Sequence, residues 1–136
     1  VVAIELPSGE IVTGKNSNLM NASAAAIINS IKNLANISDD IYLMSPVILE
    51  PMLKLKEETL GSREVPLGLE EVLLALSICA ATNPQAQAAL DKIKLLKGCQ
   101  AHSTTILSSS DEKIFGKLAI DVTCDAEYPT ESLFWN

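Results

Sequence analysis

The order of apolar and polar positions predicts a β-hairpin at the start of the chain. Residues 1–6 and 10–13 are short, largely apolar runs, and the segment 7–9 between them is Pro-Ser-Gly, which favours a tight turn. The polar segment 14–18 that follows has the composition of a loop. We therefore expect two neighbouring strands and a loop that leads into a helix.

The segment 19–36 carries the clearest helical pattern in the chain. Its apolar residues recur with the 3.6-residue period and fall on one face, whereas Ser30, Lys32 and Asn33 fall on the opposite side. This pattern predicts an amphipathic helix that packs against the core through its apolar face and presents those three polar residues to solvent.

Two helix-start signals follow. Ser38, with acidic residues directly behind it, offers a capped start, and residues 41–44 fit either a helical turn or a short strand. The pair Ser45-Pro46 is the stronger signal, because a cap residue precedes a proline in the first turn. We expect a helix from there to residue 60, kinked near its beginning by Pro51 and stopped by the glycine that follows.

The segment 69–81 is apolar on nearly every side, which predicts a central helix that is buried all round. The pair Asn83-Pro84 repeats the cap-and-proline signal and starts a further helix that should run to residue 97. Gly98 is suited to the left-handed position that ends such a helix.

The last third of the chain predicts a strand, a helix and a second strand. Residues 99–107 have the composition of a strand, the segment 109–112 fits a capping box for a helix to residue 118, and residues 120–125 alternate between apolar and polar. Such short connections favour a right-handed βαβ unit. The fold class is therefore α/β, with α+β as the alternative: a helix-rich domain with about four strands and four to five helices.

The 136 residues suffice for a single domain, 1–136, with its own core. The chain opens in a strand-like run without a methionine, so we expect it to be a piece of a longer polypeptide. Phe134 and Trp135 near the other end are apolar aromatic residues, which we expect to dock on this domain or on a neighbour.

Composition excludes several classes of function. A net charge of −7 and a pI near 4.6 disfavour binding to nucleic acid or to an anionic membrane surface. The longest apolar run is too short to span a bilayer, and the first residues do not form a signal peptide. Cys79, Cys99 and Cys124 are widely spaced and the chain has one histidine, so we expect no zinc site and a reduced, cytoplasmic protein. Cys99 and Cys124 should be packed as small apolar residues.

The strongest candidate for a binding site is the loop after the hairpin. Gly9, Gly14 and Lys15 match the spacing of a phosphate-binding P-loop, but Asn16 stands where that motif needs Ser or Thr, and the intervening residues have the pattern of a strand. A weaker hypothesis is that Gly14, Lys15, Asn16 and Ser17, ahead of a helix start, bind a phosphate or carboxylate group. The alternative is that the same residues form an ordinary turn and helix cap.

His102 is the sharpest candidate for chemistry. Strand alternation puts His102 and Thr104 on one face, and Cys99 and Ser103 on the other, so neighbouring residues cannot form a Ser–His or Cys–His dyad. A catalytic acid or base at His102 would need a partner from another segment, for which Lys15, Asp121 and Thr123 are the candidates. A structural or surface histidine is the alternative. Thr104, on the same face as His102, is a further candidate residue of the anion site.

Four separated strings, 12–15, 39–46, 76–84 and 98–104, resemble the C-terminal part of the DUF1846 (UPF0371) family of bacterial proteins. The resemblance implies a longer chain with a separate N-terminal α/β region, of which these residues are the C-terminal domain. No activity or cofactor is assigned to that family, so the resemblance carries over no catalytic residue. The cofactor is therefore left open.

Three functions compete at this point. In the first, the domain closes on its own N-terminal region to form an enzyme cleft, where Lys15 holds an anionic, phosphorylated small molecule and His102 is the acid or base. This hypothesis predicts that Lys15 and His102 lie at one pocket. In the second, the domain is structural and mediates homo-oligomerisation or docking between domains. The third is a regulatory module that binds a small molecule without reacting with it.

Overall fold

The computed structural model describes residues 1–59 and 66–125, and a four-stranded mixed sheet organises them. The strands lie in the order β2-β1-β3-β4, with β1 antiparallel to both β2 and β3, and β3 parallel to β4. Their bounds are β1 Val2–Glu5, β2 Ile11–Gly14, β3 Gln100–Ser103 and β4 Asp121–Cys124. The predicted hairpin and the parallel pair with a helix between its strands are both confirmed.

Five α-helices are present in the described residues: α1 Ala22–Leu34, α2 Pro46–Lys54, α3 Leu69–Ala80, α4 Pro84–Asp91 and α5 Ser109–Lys117. With the four-stranded sheet they confirm the predicted helix-rich α/β class. A π-helical turn, Leu55–Thr59, continues α2, and a 3₁₀ turn, Ile93–Leu96, follows α4. No helix of these residues is both long enough and apolar enough to cross a membrane.

The observed starts of the helices agree with the predicted ones better than their lengths do. Ser45 and Asn83 cap α2 and α4 as predicted, each accepting a bond from a backbone N–H of the first turn. The first helix begins later than expected, at Ala22, because Asn21 caps it and the residues before it form a turn closed by Ser17. The helix predicted from Ser45 is found as α2, which ends at Lys54 and continues as the π-helical turn, while its predicted end at residue 60 lies outside the described residues.

Other boundaries need correction. The last helix is capped by Ser108, one residue before the predicted capping box, through a bond from the backbone N–H of Asp111. Residues 41–44 form bends, neither the helical turn nor the strand that were considered. The predicted helix to residue 97 divides into α4 and the 3₁₀ turn, and Gly98 ends it with φ of +83° as expected. Strand β3 stops at Ser103, four residues before the predicted end.

The prediction of an all-round buried third helix is wrong. Helix α3 buries Leu69, Val72 and Leu76 against α1, α4 and α5, but Leu74 and Ile78 on its other side are 57% and 65% exposed. The physical reason is that α1, α4 and α5 all pack against the inner side of α3, whereas Leu74 and Ile78 lie on the side that faces away from them. The apolar outer side of α3 is therefore a surface feature.

The sheet has one covered and one open face. The helices pack on the face that carries Val2, Ile4, Ala101 and Ser103, all buried. His102 and other polar side chains lie on the opposite, open face. The predicted division of β3 into two faces is confirmed. Along β4 the expected buried face is only partial, because Ile120 is buried, Val122 is half-buried and Cys124 is exposed. Phe134 and Trp135 lie outside the described residues.

Candidate anion-binding cavity and polar sheet face

Gly14 occupies the point where β2 meets α1. A Cβ atom built on Gly14 would collide with the backbone N of Ala26 and lie 2.7 Å from the backbone O of Ala22. Only a residue without a side chain lets the helix backbone approach the strand this closely. Close packing against α1 therefore accounts for a glycine at position 14, independently of any ligand that the neighbouring loop binds.

Asn16 and Ser17 are engaged in local hydrogen bonds. The side chain of Asn16 accepts a 2.7 Å bond from the backbone N–H of Ala22, the first residue of α1. Ser17 accepts from the backbone N–H of Met20 at 3.2 Å and closes the turn before the helix. Both side chains therefore serve turn and cap chemistry, the alternative that the sequence left open. Lys15 is the remaining polar side chain among the predicted anion-site residues of this loop.

Lys15 lines a cavity of about 550 Å³ between α1, the segment before α2 and α2 itself. Gly14 and Ser17 also line it, so the structure brings three of the predicted anion-site residues to one cavity. Most of its wall is apolar, provided by Leu19, Met20, Ala25, Ile28, Ile41, Leu43, Met44, Pro46 and Leu49. A largely apolar pocket with a few polar groups, in this range of volume, is typical of small-molecule sites.

Lys32 is the feature of this cavity that the sequence missed. The residue was expected on the solvent side of α1, yet it is only 6% exposed, and Ser30 beside it is fully buried. The segment after α1 folds back over the helix, and the Lys32 ammonium donates to the backbone O of Asp39 at 3.1 Å and of Ile41 at 2.6 Å. An ammonium has three N–H donors, so one remains beyond these two bonds.

The charges at the cavity favour an anion by a narrow margin. Lys15 and Lys32 contribute two positive charges and Asp39 one negative charge, which leaves one net positive charge in a chain of net charge −7. An anionic ligand is therefore attracted to this cavity, whereas the acidic remainder of the chain repels it. The apolar residues 41–44 after α1 indicate that this segment packs against the core, but they do not show that it covers Lys32.

His102 forms a polar cluster with two residues of the β4 segment on the open face. Its Nδ1 lies 2.7 Å from Thr123 Oγ1, and its Nε2 lies 3.1 Å from Asp125 Oδ1. Thr123 was among the partners considered from the sequence, whereas Asp125 was not. His102 and Asp125 are about half exposed, at 48% and 53% of their side chains.

The hydrogen bonds of this cluster fix the role of one imidazole nitrogen. An ionised carboxylate only accepts, so Nε2 donates to Asp125, whereas Thr123 Oγ1 lies within hydrogen-bond distance of both Nδ1 and the backbone O of Ala101, at 2.7 and 3.4 Å. A hydroxyl, an imidazole and a carboxylate in this order can pass a proton from the hydroxyl to the ring. The cluster lies on an open sheet face, so any substrate would have to be held there by another part of the protein.

Among the described residues, Lys15 and His102 lie at different places. His102 is absent from the lining of the cavity that contains Lys15, and β1 separates the strands that carry the two residues. Neighbouring strands are about 4.8 Å apart, so β2 and β3 are about 10 Å apart at their backbones. Thr104 lies on the His102 side, where its backbone N–H donates to the O of Val1 at 2.9 Å.

Asp111 is a second residue whose role the sequence did not show. Its carboxylate is buried, accepts from Asn21 Nδ2 at 2.7 Å and accepts from the backbone N–H of Leu69 at 3.0 Å. It was assigned to the start of its own helix, α5, but it satisfies the N-terminus of α3 and holds the side chain that caps α1. Asp111 thus joins three helices and is a structural residue.

The cysteines differ in their exposure to solvent. Burial raises the pKa of the Cys99 thiol, and the negative charge of Glu5 raises it further. Cys99 is therefore the packed, protonated thiol that was expected. The expectation for Cys124 is wrong, because that residue is exposed on the edge strand β4. Within the described ranges, no group of His, Cys, Asp and Glu side chains is arranged to hold a metal ion.

Comparison with known proteins places the chain in a family. The family described as "Domain of unknown function DUF1846, C-terminal" matches residues 1–134. UPF0371 proteins of Clostridium tetani and Clostridioides difficile are 60% and 63% identical to the chain over 136 residues. These matches cover 100% of the chain but 27% of each relative, so the chain spans about a quarter of their length. The chain therefore belongs to the DUF1846 (UPF0371) family and corresponds to its C-terminal domain.

Proposed function

We propose that this domain contributes an anion-binding cavity to a larger, multidomain enzyme. Lys15 binds the phosphate or carboxylate group of a small molecule. Lys32 donates the remaining N–H of its ammonium to the same anionic group. The apolar wall packs against the uncharged part of the ligand. The observation that carries the proposal is the convergence of Lys15 with the buried Lys32 on one cavity of about 550 Å³.

Burial of Lys32 supports this proposal more strongly than the loop does. A buried ammonium with two backbone carbonyl partners is left short of one acceptor, and an anion at the cavity would supply it. The desolvated setting strengthens an ionic hydrogen bond relative to one in water. The loop alone carries less weight, since Asn16 and Ser17 are already used as cap and turn residues.

The test is a thermal-shift screen of the full-length family protein against inorganic phosphate and phosphorylated or carboxylated metabolites. A ligand present at 100 times its dissociation constant stabilises the folded state by about 2.7 kcal/mol, which a melting curve detects. We expect Lys15→Met to abolish the shift and Lys113→Met, an exposed lysine outside the cavity, to keep it. Equal shifts for both variants, or none in the wild type, would refute the site.

His102 is outside the proposed anion site. As an acid or base it would act on the open face, in a cleft completed by another region of the longer protein, with Thr123 and Asp125 as its partners. We further propose a cytoplasmic protein, because the free cysteines of the described residues suit a reducing compartment.

The alternative function, a non-catalytic domain for docking or homo-oligomerisation, is favoured by one observation. The outer side of α3 is apolar and exposed, and Ile78 lines a groove of about 410 Å³ with Tyr42 and Ile48. The remaining region of the longer protein is the occupant we would expect. In full-length protein, Ile78→Glu should then loosen the assembly in sedimentation and limited proteolysis, whereas Leu95→Glu, an exposed leucine outside that groove, should not.

A further inference from the structure

Strand β2 lies at an edge of the sheet, and a groove separates it from the adjacent side of α1. We propose that an extended segment from the part of the family protein outside these 136 residues adds to β2 as a fifth strand. The proposal is independent of the anion cavity, because it rests on the backbone groups of β2 and on a second groove.

The register of the hairpin shows which backbone groups face outward. Leu6 N–H donates to the O of Glu10 at 2.8 Å, and the pairing then continues with Ile4 opposite Val12. In an antiparallel pair, alternate residues exchange hydrogen bonds, so Ile11 and Thr13 point their N–H and C=O groups away from β1. Asn29 Nδ2 confirms this direction, because it donates to the O of Thr13 from outside the sheet at 3.0 Å.

Three of these outward groups have no hydrogen-bond partner in the described residues: the N–H and C=O of Ile11 and the N–H of Thr13. The Ile11 side chain is 61% exposed at the same place. Natural proteins usually protect an edge of this kind with a bulge, a proline or an inward charge, and β2 has none of these in residues 11–14. An exposed, regular edge is the template for strand addition.

A groove beside the edge provides the second observation. It has a volume of about 910 Å³ and is bounded on one side by β2 and on the other by Asn29, Asn33 and Asn36 of the α1 segment. Asn29 and Asn33 lie one turn apart on the same side of α1, and Asn36 follows just after the end of the helix. Asn33 Nδ2 donates to Glu10 Oε2 at 2.7 Å, which orients its amide oxygen as an acceptor for a ligand.

The charges of the groove favour a basic segment. Among the described residues that line it, the charged ones are Glu10 and Asp39, and both are acidic. A second copy of the domain, paired through the same edge, would bring two more carboxylates to the groove, which like-charge repulsion disfavours. A segment with lysine or arginine side chains is complementary. The relatives carry about three quarters of their length outside this domain, which is a sufficient source for such a segment.

Amide hydrogen exchange in the full-length protein tests the proposal, with site resolution in β2. Val12 and Gly14 are internal controls, because their N–H groups face β1. We expect the amides of Ile11 and Thr13 to be protected to within about tenfold of those controls. Exchange of both at the rate of unpaired amides, while Val12 stays protected, would overturn the proposal.

A proline variant identifies what protects the edge. Ile11→Pro removes one outward N–H and leaves the pairing with β1 intact, and Ile11→Ala is the control that keeps the N–H. We expect Ile11→Pro alone to speed exchange at least tenfold in a segment outside residues 1–136. Protection of β2 that instead falls on dilution, together with a dimer in sedimentation, would assign the edge to a second copy and contradict the proposal.

Discussion

The two faces of the sheet use polar residues in different ways. On the covered side, Asp111 and Ser103 are buried, and every buried polar side-chain atom of the described residues has a hydrogen-bond partner. Gly14 lets the backbone of α1 pack closely against β2. On the open face, His102, Thr123 and Asp125 bond to one another while remaining exposed. The difference indicates that substitutions on the covered face should change stability, and those on the open face recognition or chemistry.

The largest effect is expected at Gly14. Gly14→Ala places a methyl group against the backbone of α1, which cannot yield as a side chain would. We predict a loss of about 3 kcal/mol or more in the free energy of unfolding, measured by urea denaturation. The matched control is Gly116→Ala in α5, where the added methyl group meets nothing within 4 Å. That change should stabilise the protein by up to about 1 kcal/mol. Equal effects at both glycines would contradict the packing assigned to Gly14.

Asp111 should show the next largest effect. Asp111→Ala leaves the N-terminal N–H of α3 and the side chain of Asn21 without their buried acceptor. We predict a loss of about 2–3 kcal/mol in the free energy of unfolding. Glu112→Ala, at the exposed neighbouring position, should change it by less than about 0.5 kcal/mol. A small effect at Asp111 would mean that water replaces the carboxylate as the acceptor. The contacts of Asp111 with α1 and α3 would then contribute little to stability.

The cysteines should differ in reactivity and in pH dependence. Cys124 should react with a thiol reagent in the native state, whereas Cys99 should react only as the protein opens. The pKa of Cys99 is raised in the folded state, so its contribution to stability is complete below the pKa of the unfolded thiol and is lost as pH rises through the folded pKa. Unfolding of Cys99→Ala should therefore depend less on pH above about 8.5. Fast labelling of Cys99 in the native state would contradict this burial.

The smallest effect on stability is expected at His102. His102→Ala removes an exposed side chain and two surface hydrogen bonds, so the free energy of unfolding should change by less than about 1 kcal/mol. Thermal or urea denaturation of this variant provides the measurement. A loss of more than about 2 kcal/mol would show that the open face is structural, and would remove the distinction between the two faces.

The parts of the fold that depend on neighbouring residues were predictable from the sequence. The hairpin turn, the caps at Ser45 and Asn83 and the two faces of β3 follow from local turn, cap and alternation rules. The ends of the helices were less predictable, because a π-helical turn continues the helical sequence pattern past the end of α2 and a 3₁₀ turn continues it past the end of α4.

The parts that depend on distant residues were not predictable. Asp111 contacts a backbone group 42 positions away, and Lys32 is buried by a segment whose path no periodicity reveals. The exposed side of α3 has the same origin, since an apolar pattern shows that a helix can be buried but not which neighbours are present. For the candidate site, the sequence identified Lys15 and His102 but not that they lie at different places.

Calorimetric binding to the full-length protein tests that separation most directly. The ligand is the strongest anionic hit of the thermal-shift screen, measured against wild type, Lys15→Met, Lys32→Met and His102→Ala. We predict that each lysine variant weakens the affinity at least about tenfold, or about 1.4 kcal/mol, and that His102→Ala leaves it within about twofold. Loss of binding in His102→Ala with wild-type affinity in Lys15→Met would contradict the account, because it would place the anion on the open face of the sheet.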